Sequence, residues 1–349
     1  MMNFMKENVV DLKPYQIPKE MIKVKLDANE NPYNLFEILK GKFIEGLKNL
    51  ELNRYPDTDS DELRECFANY LGLKKENILC GNGSDEVIQT IINTFVEKDE
   101  YVITHSPTFS MYKIFTTIAG GNFSEVPCEE DFKIDVDKII KEANEREAKI
   151  IFLCNPNNPT GRVIPVEDIE KVIKETKSII VVDEAYSEFL EESAVDLINK
   201  YDNLVVLRTL SKAFALAGAR VGCGAGSKRM MDALYRVKAP YNLNVFSQII
   251  GKIYMENIGL IQEYIEKIKK ERAYLYEELK KIEGIEVFQT GANFILMRSK
   301  KAEEIIKTCK EEKVSIRSFN EEILKNCFRI SIGSREENDE LLRVLRKVV

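Results

Sequence analysis

Four short runs, Tyr101–Thr104, Lys149–Cys154, Ile179–Val182 and Leu204–Leu207, are almost unbroken in apolar and β-branched residues. A strand with one wet face would alternate, so this continuity predicts strands covered on both faces. Helical spacing fills the intervals. In Ser84–Val96, Val87, Ile88, Ile91, Ile92 and Phe95 recur behind a Ser84-Asp85-Glu86 start, and Pro165–Lys177 opens on proline with Val166, Ile169, Val172 and Ile173 along one side. Strand and helix in alternation predict an α/β fold built on a mainly parallel sheet. Beyond Phe246 the pattern changes to long Lys/Glu-rich helical stretches, Ile258–Glu283, Lys301–Lys313 and Arg335–Val349, with strand candidates at Phe294–Met297 and Phe328–Ile332. These predict a smaller α+β domain, joined to the first by a helix around Gly251–Lys281.

A chain of 349 residues suits about two domains at roughly 150 residues each. With 51 basic and 58 acidic side chains the net charge is −7, the wrong sign for a general nucleic-acid or anionic-membrane binder. Small anionic ligands would have to be met by local arginines. No apolar run approaches the ~20 residues that span a bilayer, and the opening residues hold no signal-peptide core, so a cytoplasmic protein without membrane contact is expected. Seven widely spaced cysteines without a C-x-x-C pair read as buried free thiols rather than a disulfide framework or zinc knuckle. The single histidine, His105, removes multi-histidine metal sites, and no metal is expected. Chemistry here must run mainly without histidine, and His105 itself reads as structural.

Ligands of open α/β sheets bind beyond the carboxyl ends of the strands. Three of the apolar runs end in polar clusters: Asn155-Pro-Asn-Asn-Pro-Thr-Gly161, Asp183-Glu-Ala-Tyr186 and Arg208-Thr-Leu-Ser-Lys212. The first alone is ordinary turn chemistry, Asp183 alone could cap a helix, and Lys212 alone could be a solvated lysine. On neighbouring parallel strands, however, Asn158, Asp183, Tyr186 and Lys212 would converge on one sheet edge as a cofactor constellation. Cys80-Gly-Asn-Gly-Ser-Asp-Glu86 adds a glycine turn feeding the Ser84 helix, whose free amides suit a phosphate beside Ser211 and Arg220. It is no dinucleotide fingerprint, since Glu86 stands at the third glycine, and no GxxxxGK[ST] occurs. A nucleotide-dependent phosphotransferase therefore lacks its phosphate loop.

Together with Pro14-Tyr15-Gln16, Leu26–Tyr33, Asn53–Asp57, Pro107–Tyr112, Ala239–Asn244, Ile316-Arg317 and Phe328–Arg335, these motifs run in order along nearly the whole chain. The set resembles the fold-type I pyridoxal-phosphate aminotransferases and, more narrowly, their histidinol-phosphate branch. The resemblance implies a large domain with a mainly parallel seven-stranded sheet between helices. It divides the chain into an arm and part of the small domain (1–40), a large cofactor domain (41–245), and a linking helix with the remaining small domain (246–349). It further implies pyridoxal 5'-phosphate bound covalently by Lys212, with Asp183 on the pyridine nitrogen and Asn158 and Tyr186 on the phenolic oxygen. Lys212, Asp183 and Tyr186 form the implied catalytic set. Phe109 takes the stacking position, often Tyr in that branch, while Gly83, Ser84, Asp85, Ser211 and Arg220 take the phosphate.

Tyr55 is the family position that reaches the phosphate from the neighbouring subunit, which implies a homodimer. Tyr15, Asn29, Arg317 and Arg329 are the implied substrate contacts, Arg329 clamping glutamate's α-carboxylate and the phosphate of histidinol phosphate using the same pocket with Arg317 and Tyr15, so that one site accepts two anions. The implied reaction is ping-pong transamination between L-glutamate/2-oxoglutarate and imidazole acetol phosphate/L-histidinol phosphate. Aromatic transamination and decarboxylation of threonine phosphate are the alternatives on the same fold. A regulatory module without catalysis fits less well, since Lys212, Asp183 and Arg329 are all present and no basic DNA-binding extension is attached.

Overall fold

The computed structural model describes residues 4–12, 22–48 and 50–349. The chain begins with β1 (Val24–Lys25), α1 (Phe36–Gly46) and α2 (Asp61–Leu71). It then alternates through β2 (Ile78–Asn82), α3 (Ser84–Phe95), β3 (Tyr101–Ser106), α4 (Met111–Ala119), β4 (Asn122–Pro127), α5 (Val136–Glu145), β5 (Ile150–Cys154), α6 (Val166–Glu175) and β6 (Ile179–Asp183). Next come β7 (Leu204–Thr209), β8 (Val221–Gly226), α7 (Lys228–Tyr235), α8 (Val245–Met255) and α9 (Ile258–Lys280). The last part is β9 (Glu286–Val287), β10 (Phe294–Arg298), α10 (Ala302–Glu311), β11 (Val314–Ser315), β12 (Arg317–Ser318), β13 (Cys327–Ser331) and α11 (Arg335–Val348).

The central sheet has seven strands in the order β2-β8-β7-β6-β5-β3-β4, parallel except for β8, which runs against both neighbours. Its two faces are buried by different helices, which is why the strands read as continuously apolar. Ile150, Phe152, Val181 and Val205 pack on one side with Val87 and Ile91 of α3, Tyr112 of α4 and Met231 of α7. Ile151, Leu153, Ile180 and Val182 face the other side, among Ile139 of α5, Ile169 and Val172 of α6 and Phe67 of α2. The four apolar runs of the sequence are thus β3, β5, β6 and β7, each at the centre of the sheet.

A second, antiparallel sheet, β12-β13-β10-β9, carries the C-terminal part, and β1 pairs in parallel with β11 so that Val24 lies opposite Val314. The expected continuous helix over Gly251–Lys281 is instead two helices. The break falls at Glu256 and Asn257: Asn257 leaves helical geometry at φ −115° and ψ 36°, its side-chain amide donates back to the Ile253 carbonyl in the last turn of α8, and α9 begins after it without a side-chain cap. All seven cysteines are free thiols, five of them buried and Cys66 and Cys128 half-buried. No helix among the described residues is long and apolar enough to cross a membrane.

Candidate active site

Asp183 is the last residue of β6, paired with Cys154 of β5 on one side and Leu207 of β7 on the other. The three loops that follow these strand ends therefore open onto one cleft of about 620 Å³. Asn29, Ser84, Asp85, Phe109, Asn158, Asp183, Tyr186, Ser211, Lys212, Arg220, Arg317 and Arg329 all line it. Asp183 closes a strand and does not cap a helix.

Lys212 is held inside this cleft by a 3.0 Å bond from its Nζ to the Ala28 carbonyl, with the Tyr186 ring 5.8 Å away. Burial, and then the nearby Arg329 charge, push the amine down to about 8. A neutral amine is the nucleophilic form, so the surroundings prepare Lys212 for bonding to an aldehyde carbon. Asp183 is buried; its Oδ2 accepts the Tyr112 phenol at 2.6 Å and its Oδ1 the Ala185 amide at 3.2 Å. Burial pushes this carboxyl up to about 6 against those two donors. Tyr186 is buried too, its hydroxyl accepting the Asn29 amide at 3.0 Å, and burial holds its phenol well above the usual range.

The opposite wall is built from the antiparallel sheet. Arg329 of β13 donates to the Asn158 side chain and to the Asp27 carbonyl at 2.7 Å, its guanidinium lying 5.2 Å from the Phe294 ring centre. Arg317 of β12 stands directly opposite Arg329 in the ladder. Asn157, one residue before Asn158, is tied to the Pro107 carbonyl and to Thr108 and Thr160, fixing the loop against the segment that carries Phe109.

At the start of α3, Gly83 occupies the N-cap position with φ of 78° and no side-chain cap, leaving the first helix amides open. A Cβ on Gly83 would lie 2.5 Å from Arg220 Nη2, so glycine is required for the arginine to sit against the turn. Arg220 in turn donates to Ser211 Oγ at 3.2 Å and to Asp85 Oδ2 at 2.9 Å. Helix amides, a hydroxyl and a guanidinium converging on one spot have the chemistry of a phosphate cradle.

Two expected residues do not line this cleft among the described residues. Tyr55 is 79% exposed and stacks on Tyr241, outside the lining of this cleft, and Tyr15 lies outside the described residues. Two contributors went unassigned from sequence. The Ala28 carbonyl carries no side-chain signal, whereas Tyr112, three residues after Phe109, had one: that spacing puts both on the same side of a helix start.

The cofactor-type site on this sheet is that of an aminotransferase. Residues 21–345 match the family model for aminotransferase class I and II, and the chain belongs to that family. It is 43% identical to the histidinol-phosphate aminotransferase of Clostridium novyi over 90% of this chain and 89% of that one. Among solved structures, the histidinol-phosphate aminotransferase of Clostridium acetobutylicum superposes with a TM-score of 0.84 at 30% identity, covering 93% of this chain and 98% of that one. The Sinorhizobium meliloti histidinol-phosphate aminotransferase, solved in complex with pyridoxal-5'-phosphate, shares the fold at TM-score 0.88 and 21% identity, covering 100% and 99%. Within the class, the chain falls in the histidinol-phosphate aminotransferase family, whose cofactor is pyridoxal 5'-phosphate. The residues present fit that group: a buried amine of lowered basicity, a buried carboxylate and an uncapped helix start with Arg220 beside it.

Proposed function

We propose that the protein catalyses reversible amino transfer between L-glutamate and imidazole acetol phosphate, giving 2-oxoglutarate and L-histidinol phosphate in histidine biosynthesis. The observation that carries this is the pairing of a buried, depressed Lys212 amine with two arginines, Arg317 and Arg329, on the same cleft. When bound, pyridoxal phosphate supplies an electrophilic carbon for the amino group and a ring that takes up the electron pair left by the departing α-proton.

The chain's own residues do the rest. The amides of Ser84 and Asp85 behind Gly83, with Ser211 and Arg220, hold the cofactor phosphate; Phe109 covers the ring; Asp183 holds the ring-nitrogen proton; Asn158 and Tyr186 meet the phenolic oxygen. Lys212 Nζ fixes the cofactor until a substrate amine replaces it, and the freed Nζ then takes and returns the proton at the substrate α-carbon. Arg329 orients glutamate's α-carboxylate by a planar two-point contact, with Asn29 beside it, and the phosphate of the second substrate uses the same pocket with Arg317 and Tyr15.

Tyr55 belongs to this reading as the residue that completes the neighbouring subunit's phosphate site in a homodimer. Its exposure, together with that of Ile38, Ile44, Leu52, Val237 and Phe246, favours such a contact. The division at residues 1–40, 41–245 and 246–349 and a cytoplasmic location are part of the same reading.

The test is the visible absorption of the protein with pyridoxal phosphate. Adding histidinol phosphate is expected to abolish the cofactor band and 2-oxoglutarate to restore it. A band that responds only to aromatic amino acids would overturn the substrate, and carbon dioxide release from threonine phosphate would replace transamination with decarboxylation.

A further inference from the structure

Tyr112 is fully buried, its ring stacked on Phe152 at 4.4 Å and 7°, and it meets Phe109 edge-on at 5.6 Å. Its one polar atom reaches 2.6 Å to Asp183 Oδ2. Packing on both flanks fixes this phenol in a single direction, so the contact is a built one. The turn into α4 and its second residue thus deliver, three residues apart, the ring that faces the cleft and the hydroxyl that holds the carboxylate.

We propose that Tyr112 is a positioning residue for the reaction, its phenol keeping the Asp183 carboxylate ionised and turned toward the cofactor's ring nitrogen. The inference rests on the role given to Asp183 above. A donor to a carboxylate favours the charged form, and in a buried site no water substitutes for it. The acidic and neutral groups around Asp183 are Asp85 from α3, Cys154 from β5, Glu184 beside it and Tyr186 beyond, and Lys212, Arg220 and Arg329 are the cations on the same cleft. Tyr112 and the Ala185 amide are therefore the donors that oppose its burial, which leaves the carboxyl near 6, just below neutrality. Ionised Asp183 is what the ring-nitrogen proton requires, so a rise in that value would empty the useful state at working pH.

The experiment is cofactor titration of the full-length, cofactor-free protein with pyridoxal phosphate from pH 5 to 9, for the wild type, Tyr112→Phe and Asp183→Asn. Tyr112→Phe keeps the stacked ring and removes only the donor. The wild-type affinity is expected to rise with pH through the Asp183 ionisation, and in Tyr112→Phe this rise moves up by about one pH unit. Turnover in Tyr112→Phe falls about tenfold at neutral pH, with KM for glutamate within about twofold. Superposable affinity profiles for wild type and Tyr112→Phe would overturn the role of Tyr112 while Asp183→Asn still loses turnover. Full turnover in Asp183→Asn would overturn the Asp183 assignment, and this inference with it.

Discussion

Arg317 and Arg329 are direct partners across the antiparallel ladder of β12 and β13. Residues opposite one another share a sheet face, so both guanidinium groups address the same cleft. They differ in depth: Arg329 is 6% exposed and Arg317 lies on the exposed edge strand. A buried, anchored arginine suits the anion that each substrate brings to this pocket, glutamate's α-carboxylate or the phosphate of histidinol phosphate, which has no carboxylate. An outer one suits a group present on only one of them. Replacing Arg317 by Ala should therefore lower kcat/KM for histidinol phosphate by about 10–100-fold, the worth of a hydrogen bond to a charged group, and spare glutamate. Equal losses with both substrates would show that Arg317 does not discriminate.

Lys212 owes its low basicity first to burial and second to Arg329. In the cofactor-free protein, borohydride trapping of pyridoxal phosphate on this amine should have its pH midpoint near 8, far below the ordinary 10.5 of a lysine. In Arg329→Gln the midpoint moves up, because a like charge that disfavours the ammonium is gone. An unmoved midpoint would leave burial and the Arg220 charge as the causes that lower it. Lys212→Ala should lose about 10⁴-fold or more in turnover, since it removes both the tether and the proton carrier.

Gly83 adopts a conformation reserved for glycine, and the space where a Cβ would go is filled by Arg220. Gly83→Ala should strain the turn by about 1–3 kcal/mol and push the guanidinium off the cradle. The expected reading is a cofactor dissociation constant raised about tenfold or more, with Arg220→Gln giving a similar loss and the two changes not adding. Additive losses would mean that glycine and arginine act separately.

The legible parts of this fold were those whose burial is symmetrical. β3, β5, β6 and β7 are apolar on both faces, and their ends carry Asn158, Asp183, Tyr186 and Lys212, so strand and site could be read from the same segments. β8 was hidden because Gly222, Gly224 and Gly226 dilute its pattern. The reason is contact, since a Cβ on Gly222 would lie 2.4 Å from the Ser84 amide nitrogen at the start of α3. The strand gives up its own signal to let the turn at the start of α3 approach. The Tyr112–Asp183 bond joins residues 71 positions apart on different elements, a separation that no local pattern encodes. The α8–α9 break was illegible for the opposite reason: apolar periodicity runs on across it, and α9 opens at Asn257 with no side-chain cap to mark the start.

His105 is buried near the end of β3, and burial pushes its imidazole down to about 4 from 6.5, opposed only by the Asn157 side chain. The folded protein keeps this ring neutral while the unfolded chain protonates it below 6.5. Its contribution to stability is therefore complete above that pH, declines as pH falls toward 4, and amounts in total to about 3 kcal/mol. Urea unfolding of the wild type and of His105→Gln at pH 7.5 and 4.5 should show the wild type losing more. Because it is the only histidine in the chain, its ring proton resonance reports directly, and it should not titrate between pH 8 and 5 in the folded state. A midpoint near 6.5 would place the ring in water.

Behind the cleft, Arg208 holds two buried carboxylates, Glu184 at 2.7 Å and Glu188 at 3.0 Å. Arg208 is the next-to-last residue of β7, which leads to Lys212, and the two acids flank Tyr186 in the loop after Asp183, so this cluster ties those two loops together. Glu184 is also bound to Ser193 at 2.7 Å and to the Ala194 amide at 2.6 Å, while burial pushes the Glu188 carboxyl up. The partners are therefore unequal. Arg208→Met would leave two carboxylates buried without their cation, at a cost of about 3–5 kcal/mol in unfolding free energy. Glu188→Gln gives up less, because Glu184 still balances the arginine and the amide keeps a hydrogen-bonding oxygen. Urea unfolding of both variants, with the Lys212 trapping midpoint measured alongside, separates a stability role from a positioning one. A shifted midpoint in Glu188→Gln at near-normal stability would mean that the cluster sets the lysine's surroundings, whereas a midpoint unchanged in both variants would mean that it only holds the loops in the fold.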